Sequence, residues 1–422
     1  MKQGVDLILS NIGDLLTLQG SDKPHCQEQM QDLGIIHDAA IAITNGRIVD
    51  IGAAALIMNR YQSNHTYDLK GQLVMPGFVD SHTHPVFMHT REAEFAMRIA
   101  GKTYVEISQA GGGIRSTIKT TRNANPDDLY SLARKRIEKM IALGTTTLEA
   151  KSGYGLSTAS ELMQLEVIAS LAKDLPLDIV PTFMGAHEYP EEYKSDHETY
   201  LKILIHEMIP AVAKQGIARF CDIFCEAHVF SIEESERVLK VAKAAGLSLK
   251  MHADEIVPIG GAELAAKMGC ISADHLGATS DFGITALKTA SVIPVLLPAT
   301  LFSLRSKNYA RARDMIQAGL PVAIATDYNP GSCNCDSMPL TITLSCLQMG
   351  MMPAEAITAA TINAAFALGM QSEVGSLEIG KKADLTVWDI PSYNFIPYHF
   401  GSSHIKAVVK EGNLISGELC KI

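Results

Sequence analysis

His82 and His84 stand two residues apart at the end of a short apolar run, Gly77-Phe-Val-Asp80. Side chains on a strand alternate between faces, so the two imidazoles project the same way and can share one cation. Imidazole is a common ligand for zinc, iron and similar ions. A lone His-x-His pair carries little weight, because single histidines more often fill cores or surfaces than bind metals. Comparable residues recur at the ends of later strand-like segments, however. They are Glu149, Lys151 and Tyr154; His187; Cys225 and Glu226; His252 and Glu255; Asp274 and His275; and Asp327 with the loop Tyr328-Asn-Pro-Gly-Ser332. Five histidines at strand tips with an acid on the last strand form a constellation that chance placement explains poorly.

The elements that must position them follow from the pattern of apolar residues. Residues 1 to about 75 read as β, with Val5–Leu9 and Leu15–Leu18 strand-like. Ala40–Thr44 and Arg47–Ile51 form a hairpin across Asn45-Gly46, a pair that accepts the positive φ of a two-residue turn. The polar stretch Ser21 to Leu33 reads as an exposed loop, and His25, His37, His65 and His404 as exposed histidines. From Pro76, strands alternate with helices such as Asp127–Leu143, Ser160–Asp174 and Ile232–Ala245. After Gly77–Asp80 the strands are Thr145–Glu149, Asp178–Phe183, Phe220–Phe224, Leu247–Met251, Cys270–Asp274, Val292–Leu296 and Val322–Thr326. Eight such units predict a (β/α)8 TIM-like barrel whose chemistry lies at the carboxyl ends of its strands; a doubly wound open sheet is the competing arrangement. After a helical stretch, Ala354–Leu368, the chain returns to β at Ala383–Trp388 and Ile405–Lys410. Strands need partners, so 1–75 and 370–422 are expected to form one small β-sandwich flanking a barrel over 76–369.

With these residues in place the chain resembles the amidohydrolase superfamily, and within it the imidazolonepropionase family. The superfamily pattern of His-x-His, two later histidines and a final Asp matches His82, His84, His252, His275 and Asp327, and the phrase Gly380-Lys-Lys-Ala-Asp-Leu385 matches where the flanking sandwich resumes. The narrower likeness rests on Glu149-Ala-Lys-Ser-Gly-Tyr-Gly155, Met184-Gly-Ala-His187, His252-Ala-Asp-Glu255, Tyr309-Ala-Arg-Ala-Arg313 and Ala325-Thr-Asp-Tyr-Asn-Pro-Gly331. Binuclear members bridge two metals through a lysine on strand four, where this chain carries Glu226. The resemblance therefore implies one Zn2+ or Fe2+/Fe3+ per chain, held by His82, His84, His252 and Asp327. It implies hydrolysis of 4-imidazolone-5-propanoate to N-formimidoyl-L-glutamate, with hydroxide generated at the metal as nucleophile. Glu255, His275 and Asp327 would share the proton transfers. Arg91 would grip the substrate's carboxylate; Tyr154, His187 and Glu255 would contact the ring; and Asn329, Gly331 and Ser332 would hold the product's glutamate end. Members are often homodimers, which is expected here too.

Other features narrow the alternatives. With 47% hydrophobic and 19% charged residues, the chain reads as globular with a large core. A net charge of −10 with no basic run argues against nucleic acid as a partner. Eight cysteines in 422 residues give no disulfide framework, and the start lacks a signal-peptide pattern, so the cytoplasm is expected. No apolar run approaches the ~18 residues of a membrane span. Gly111-Gly-Gly113 lacks the ending of a phosphate loop and reads as a flexible loop near the mouth. Cys333-Asn-Cys335 and Cys221 to Cys225 lack the second half of a zinc ribbon and read as buried or incidental thiols, with Cys333 and Cys335 close enough to the Asp327 loop to be open to oxidation. Two other functions remain open: deamination of an aromatic amine or nucleobase, which the His252–Glu255 arrangement also serves, and a non-catalytic scaffold barrel.

Overall fold

A strand that buries one face needs period-two alternation, and a tight turn needs residues that tolerate positive φ. Both are realised at the amino end of the computed structural model, which describes all residues except Met1, 103–105, 107–111 and Ile422. Strand β1 (Leu7–Leu16) pairs antiparallel with β2 (Ile35–Thr44), which turns at Asn45 and Gly46, φ +50° and +72°, into β3 (Arg47–Ala53). β1 is one strand, not the two segments expected. A register shift between Leu9 and Ile12 accommodates Asn11 at φ +53°, so the chain bulges without leaving the sheet. The other edge of β1 is shared by β4 (Thr66–Asp68) and β5 (Leu73–Pro76).

Gly77 alone separates β5 from the barrel. A side chain there would press into Thr146, its Cβ 2.3 Å from that side chain, so the close approach requires glycine. Eight parallel strands follow: β6 (Phe78–Asp80), β7 (Thr145–Lys151), β8 (Asp178–Ala186), β9 (Phe220–Cys225), β10 (Ser248–Ala253), β11 (Ser272–His275), β12 (Ile293–Leu296) and β13 (Ala323–Ile324). Each pairs with its successor. The ring closes just beyond β13 and β6, where Asp327 N donates to His82 O (3.0 Å) and His84 N to Tyr328 O (2.8 Å). The expected barrel is therefore present and the open-sheet alternative is not. Helices Pro126–Ala142, Thr158–Asp174 and Ile232–Ala244 fall within two residues of expectation, the last opened by a Ser231/Glu234 capping box.

The chain then returns to the first sheet. Strand β14 (Leu385–Trp388) pairs antiparallel with β5, followed by β15 (Ile405–Lys410) and β16 (Asn413–Gly417). One sheet in the order β16-β15-β14-β5-β1-β2-β3 thus joins both termini around a core that includes Leu9, Ile41, Val74, Leu385 and Ala407. Asp178 at the foot of β8 binds Lys382 and Lys410 at 2.7 and 2.5 Å, tying barrel to sheet.

Two expectations need correction. Ser21–Leu33 is not a free loop: it contains a 3-10 turn, Gln27–Gln31, that buries Met30 and Leu33 against the barrel. His25 is buried with it, its backbone bonded both ways to Asn363 at 2.9 Å. The polar residues of this segment point outward, and two apolar ones suffice to dock it. The stretch Ala354–Leu368 is two helices, Pro353–Ala359 and Ile362–Ala367, broken at Thr361. The second closes the barrel floor, packing Ala364, Ala365 and Leu368 against Val79, Val180, Phe220 and Val295.

Above that apolar plug the barrel interior turns ionic. Leu249 and Met251 of β10 face the outer helices, so Lys250 and His252 face inward, and the same alternation turns Glu149, Lys151, Asp222 and Asp274 inward. All five charged residues of this layer are fully buried. Lys151 Nζ reaches Asp222 at 2.6 Å and Glu149 at 2.8 Å; Lys250 Nζ reaches Glu149 at 2.9 Å and Ser81 O at 2.7 Å. No helix among the described residues is long and apolar enough to cross a membrane.

Candidate active site

Strand ends carry the site, as barrel geometry requires. Just past β6, His82 Nε2 and His84 Nε2 lie 3.3 Å apart, and Asp327 Oδ1 lies 3.6 and 3.7 Å from them. His82, His252 and His275 form a second group with one ligand atom each inside 4.8 Å. A tetrahedral site with bonds of about 2.0–2.2 Å has edges of roughly 3.3–3.6 Å, so the first three donors are spaced for one small cation.

The protonation pattern agrees. His82 Nδ1 lies 2.6 Å from Asp274 Oδ2, so its N–H donates there and Nε2 presents a lone pair to the centre. Burial foremost, with nearby cationic groups, pushes His82 and His84 well below the ordinary histidine range and keeps both neutral. His84 Nδ1 has no partner among the described residues, so His84 Nε2 can either donate to His82 Nε2 or present a lone pair to a cation. Asp222 Oδ2 lies 3.0 Å from His252 Nδ1, though off the line of a hydrogen bond. Thr300 donates to Asp327 Oδ2 at 2.6 Å, which leaves Oδ1 to face the imidazoles. Burial pushes Asp327 up to about 6. Four carboxylates (Glu149, Asp222, Asp274, Asp327) face two ammonium groups (Lys151, Lys250), a formal excess of two negative charges beneath and beside the centre. A divalent ion would match that excess. Lys151, in this ionic layer, is a structural counter-ion: burial opposes its charge, but Asp222, Glu149 and Asp274 more than restore it.

His275 adopts φ +74° and Asp327 φ +52°, conformations uncommon for side-chain-bearing residues and often found where function fixes the backbone. His275 Nδ1 lies 3.6 Å from Glu255 Oε2. Glu255 is pushed up to about 8 by burial and by the neighbouring carboxylates of Asp327 and Glu226. Glu226 accepts from Ile256 N at 2.9 Å and so fixes the segment that follows Glu255.

One cavity of about 770 Å3 opens over these groups, lined by His84, His252, Glu255 and Asp327 and, on its wall, Arg91 and Tyr154. Tyr154 and His187 pack against each other and against His84, with ring centroids 5.0–5.9 Å apart. His187 Nδ1–H donates to Gly153 O at 3.0 Å, leaving Nε2 as an acceptor. The loop bearing Tyr154 is held by buried Glu161, whose carboxylate accepts from Gly153, Gly155 and Leu156 N. Arg91 is both a cavity residue and an ion-pair partner, donating from Nε and Nη2 to Glu94 at 2.9 and 2.7 Å. Gly331 abuts it so closely that a Cβ would lie 2.2 Å from Arg91 Nη1. Asn329 and Ser332 also line the cavity, but the Asn329 amide is spent on its own loop. Its Oδ1 accepts from Gly331 and Ser332 N at 2.8 Å, and Nδ2 donates to Asp327 O and Ser332 Oγ at 2.8 Å.

Some residues escaped sequence reasoning. Asp222, Thr300 and Glu161 act on site residues from other strands or helices, and Arg98 lines the cavity and bonds to Gly331. Asp274, flagged beside His275 at its strand tip, gains its role as the partner of His82 only from the fold. Cys333 is sealed from solvent and burial pushes its thiol upward, in line with a buried thiol and against oxidation there; Cys335 is half-buried, its thiol pushed up to about 11. Of the glycine run, Gly111 lies outside the described residues, while Gly113 caps helix Ile114–Arg122.

Comparison with known proteins agrees with this geometry. The amidohydrolase family model matches residues 73–415. The imidazolonepropionase of Symbiobacterium thermophilum is 48% identical over 98% of both chains, and that of Alkaliphilus oremlandii is 45% identical over 97% of this chain and 98% of its own. Among solved structures, a zinc-bound adenosine deaminase from Xanthomonas campestris superposes with a TM-score of 0.71 at 18% identity, covering 98% of this chain and 93% of that one. E. coli guanine deaminase gives 0.74 at 15% identity, covering 97% and 99%. At those identities the structural likeness shows the fold alone. The chain belongs to the amidohydrolase family and, within it, to the imidazolonepropionases.

Proposed function

We propose that this protein hydrolyses the ring amide of 4-imidazolone-5-propanoate to give N-formimidoyl-L-glutamate. The observation that carries the reading is that one cavity is lined both by His84 and Asp327 of the metal-spaced donors and by Arg91. A substrate with a polarisable carbonyl at one end and a carboxylate at the other fits such a cavity. The near-full-length relatives named for this activity support it.

His82, His84, His252 and Asp327 would hold one ion; a donor set of nitrogen and oxygen suits zinc and also accepts ferrous or ferric iron. When bound, the ion supplies Lewis-acid chemistry that lowers the pKa of water from about 16 to roughly 7. Around it the side chains divide the work. Asp274 fixes the His82 tautomer and Thr300 the Asp327 rotamer, so the donors wait in place. Glu255, poised near neutrality by its burial, takes a proton from the attacking water and returns it to the ring nitrogen as the C–N bond breaks. His275 orients the substrate carbonyl. Tyr154 and His187 flank the ring, Arg91 faces the carboxylate, and Asn329 shapes the loop that presents Gly331 and Ser332 to the product.

The test joins elemental analysis of the purified protein to an ultraviolet assay of substrate consumption. The proposal expects about one metal ion per chain and loss of the imidazolone absorbance. Ammonia release from a nucleobase without turnover of imidazolone propanoate would overturn it in favour of a deaminase.

A further inference from the structure

The cavity wall to which Arg91 belongs also carries Glu94, Arg98 and Lys102. Arg91 immediately precedes helix Glu92–Ile99, and Arg98 lies seven residues on, two helical turns further along. Between them Glu94 gives both carboxylate oxygens to Arg91, and one of these also accepts from Gly113 N at 2.9 Å. Nothing of that acid remains for Arg98. Its single hydrogen bond among the described residues runs from Nη2 to Gly331 O at 3.2 Å, and its Nε is buried without a partner. A guanidinium has five N–H donors, and a buried unfilled donor is costly. Desolvation foremost, and the like charge of Arg91, push its pKa downward, and the nearby Glu94 carboxylate offsets this only in part.

We infer that Arg98 is a second, specificity-determining carboxylate-binding residue of this cavity. Arg91 is held in an ion pair by Glu94 and braced against Gly331, whereas Arg98 makes no ion pair among the described residues and contributes free donors that an incoming carboxylate fills. Gly331 connects the two, since its missing side chain admits Arg91 and its carbonyl steadies Arg98. The assignment rests on the reading of the site as a hydrolase for a carboxylate-bearing cyclic amide. It adds a cation that the Arg91 position alone does not supply, and it predicts that acidic substrates are selected over neutral isosteres.

The experiment compares wild type with Arg98→Gln and Arg98→Lys on imidazolone propanoate and on its propanamide analogue, with metal content measured on each protein. Arg98→Gln is expected to raise KM for the carboxylate substrate roughly 10- to 100-fold, the worth of a charge-assisted pair. Its kcat, its metal content and its KM for the propanamide should stay near wild type, so discrimination between the two substrates collapses. Arg98→Lys, which keeps the charge but loses the fork, should fall between. Unchanged discrimination in Arg98→Gln, or equal losses on both substrates, would overturn the assignment. Calorimetric titration of each metal-loaded protein with glutarate separates this inference from the proposed reaction. If wild type fails to turn over imidazolone propanoate, the proposed reaction falls. In that case loss of glutarate binding in Arg98→Gln still supports the role of Arg98, and retained binding contradicts it.

Discussion

The ionic layer under the metal-spaced donors and the charged groups above them are built from the same residue types and behave oppositely. Below, Glu149, Lys151, Asp222, Lys250 and Asp274 sit on barrel strands with no exposure, and the amines reach Glu149 and Asp222 at 2.6–2.9 Å and Asp274 at 3.6–3.9 Å. Above, Glu255 and Arg98 occupy a loop and a short helix; Glu255 stands 3.6 Å from its nearest basic partner, and Arg98 keeps a buried donor with none. Charges paired at short range fix geometry, whereas charges without a close ion-pair partner are free to meet a proton or a ligand. The strands supply rigidity for the first set and the loops supply accessibility for the second.

Substitutions on each side test that division. The largest effect belongs to the upper set. Glu255→Gln should lower kcat roughly a hundred- to ten-thousand-fold with metal content unchanged, because the proton carrier is gone while the donors remain. A near-normal rate would reassign the role. In the lower set, Lys250→Met strands Glu149 without one of its two amines, and should cost about 3–5 kcal/mol in denaturant unfolding. A variant as stable as wild type would show that the layer is not held together by its charges. The smallest effect is expected at the boundary between the sets. Asp274→Asn keeps the shape but weakens the orienting bond to His82, and should loosen metal about 10- to 100-fold in a chelator competition. Unchanged competition would mean that packing alone orients the ring.

Much of this arrangement was legible in the sequence because it is encoded locally. Alternation over Ser248–Ala253 marks a strand, Asn45-Gly46 marks a turn, and His82 and His84 share a face through spacing alone. What escaped is encoded by pairs far apart along the chain. Nothing local marks Lys250 as buried until Glu149, on a strand a hundred residues earlier, is placed beside it. Arg98 reads as one more charge on an amphipathic helix until Gly331 meets it from the last barrel strand's loop. Met30 and Leu33 were hidden inside a polar stretch, since two apolar residues make no period yet are enough to dock it. Asn329 lines the cavity where resemblance puts it, and the hydrogen bonds that order its own loop show only in the fold.

The central claim, that segments of the first, fifth and eighth barrel strands converge on one catalytic ion, is tested most directly by measuring metal stoichiometry and turnover together in His82→Ala. The account predicts that both fall to background in a protein that still folds. A variant that retained a full equivalent of metal, or that kept near-normal turnover without it, would contradict the account.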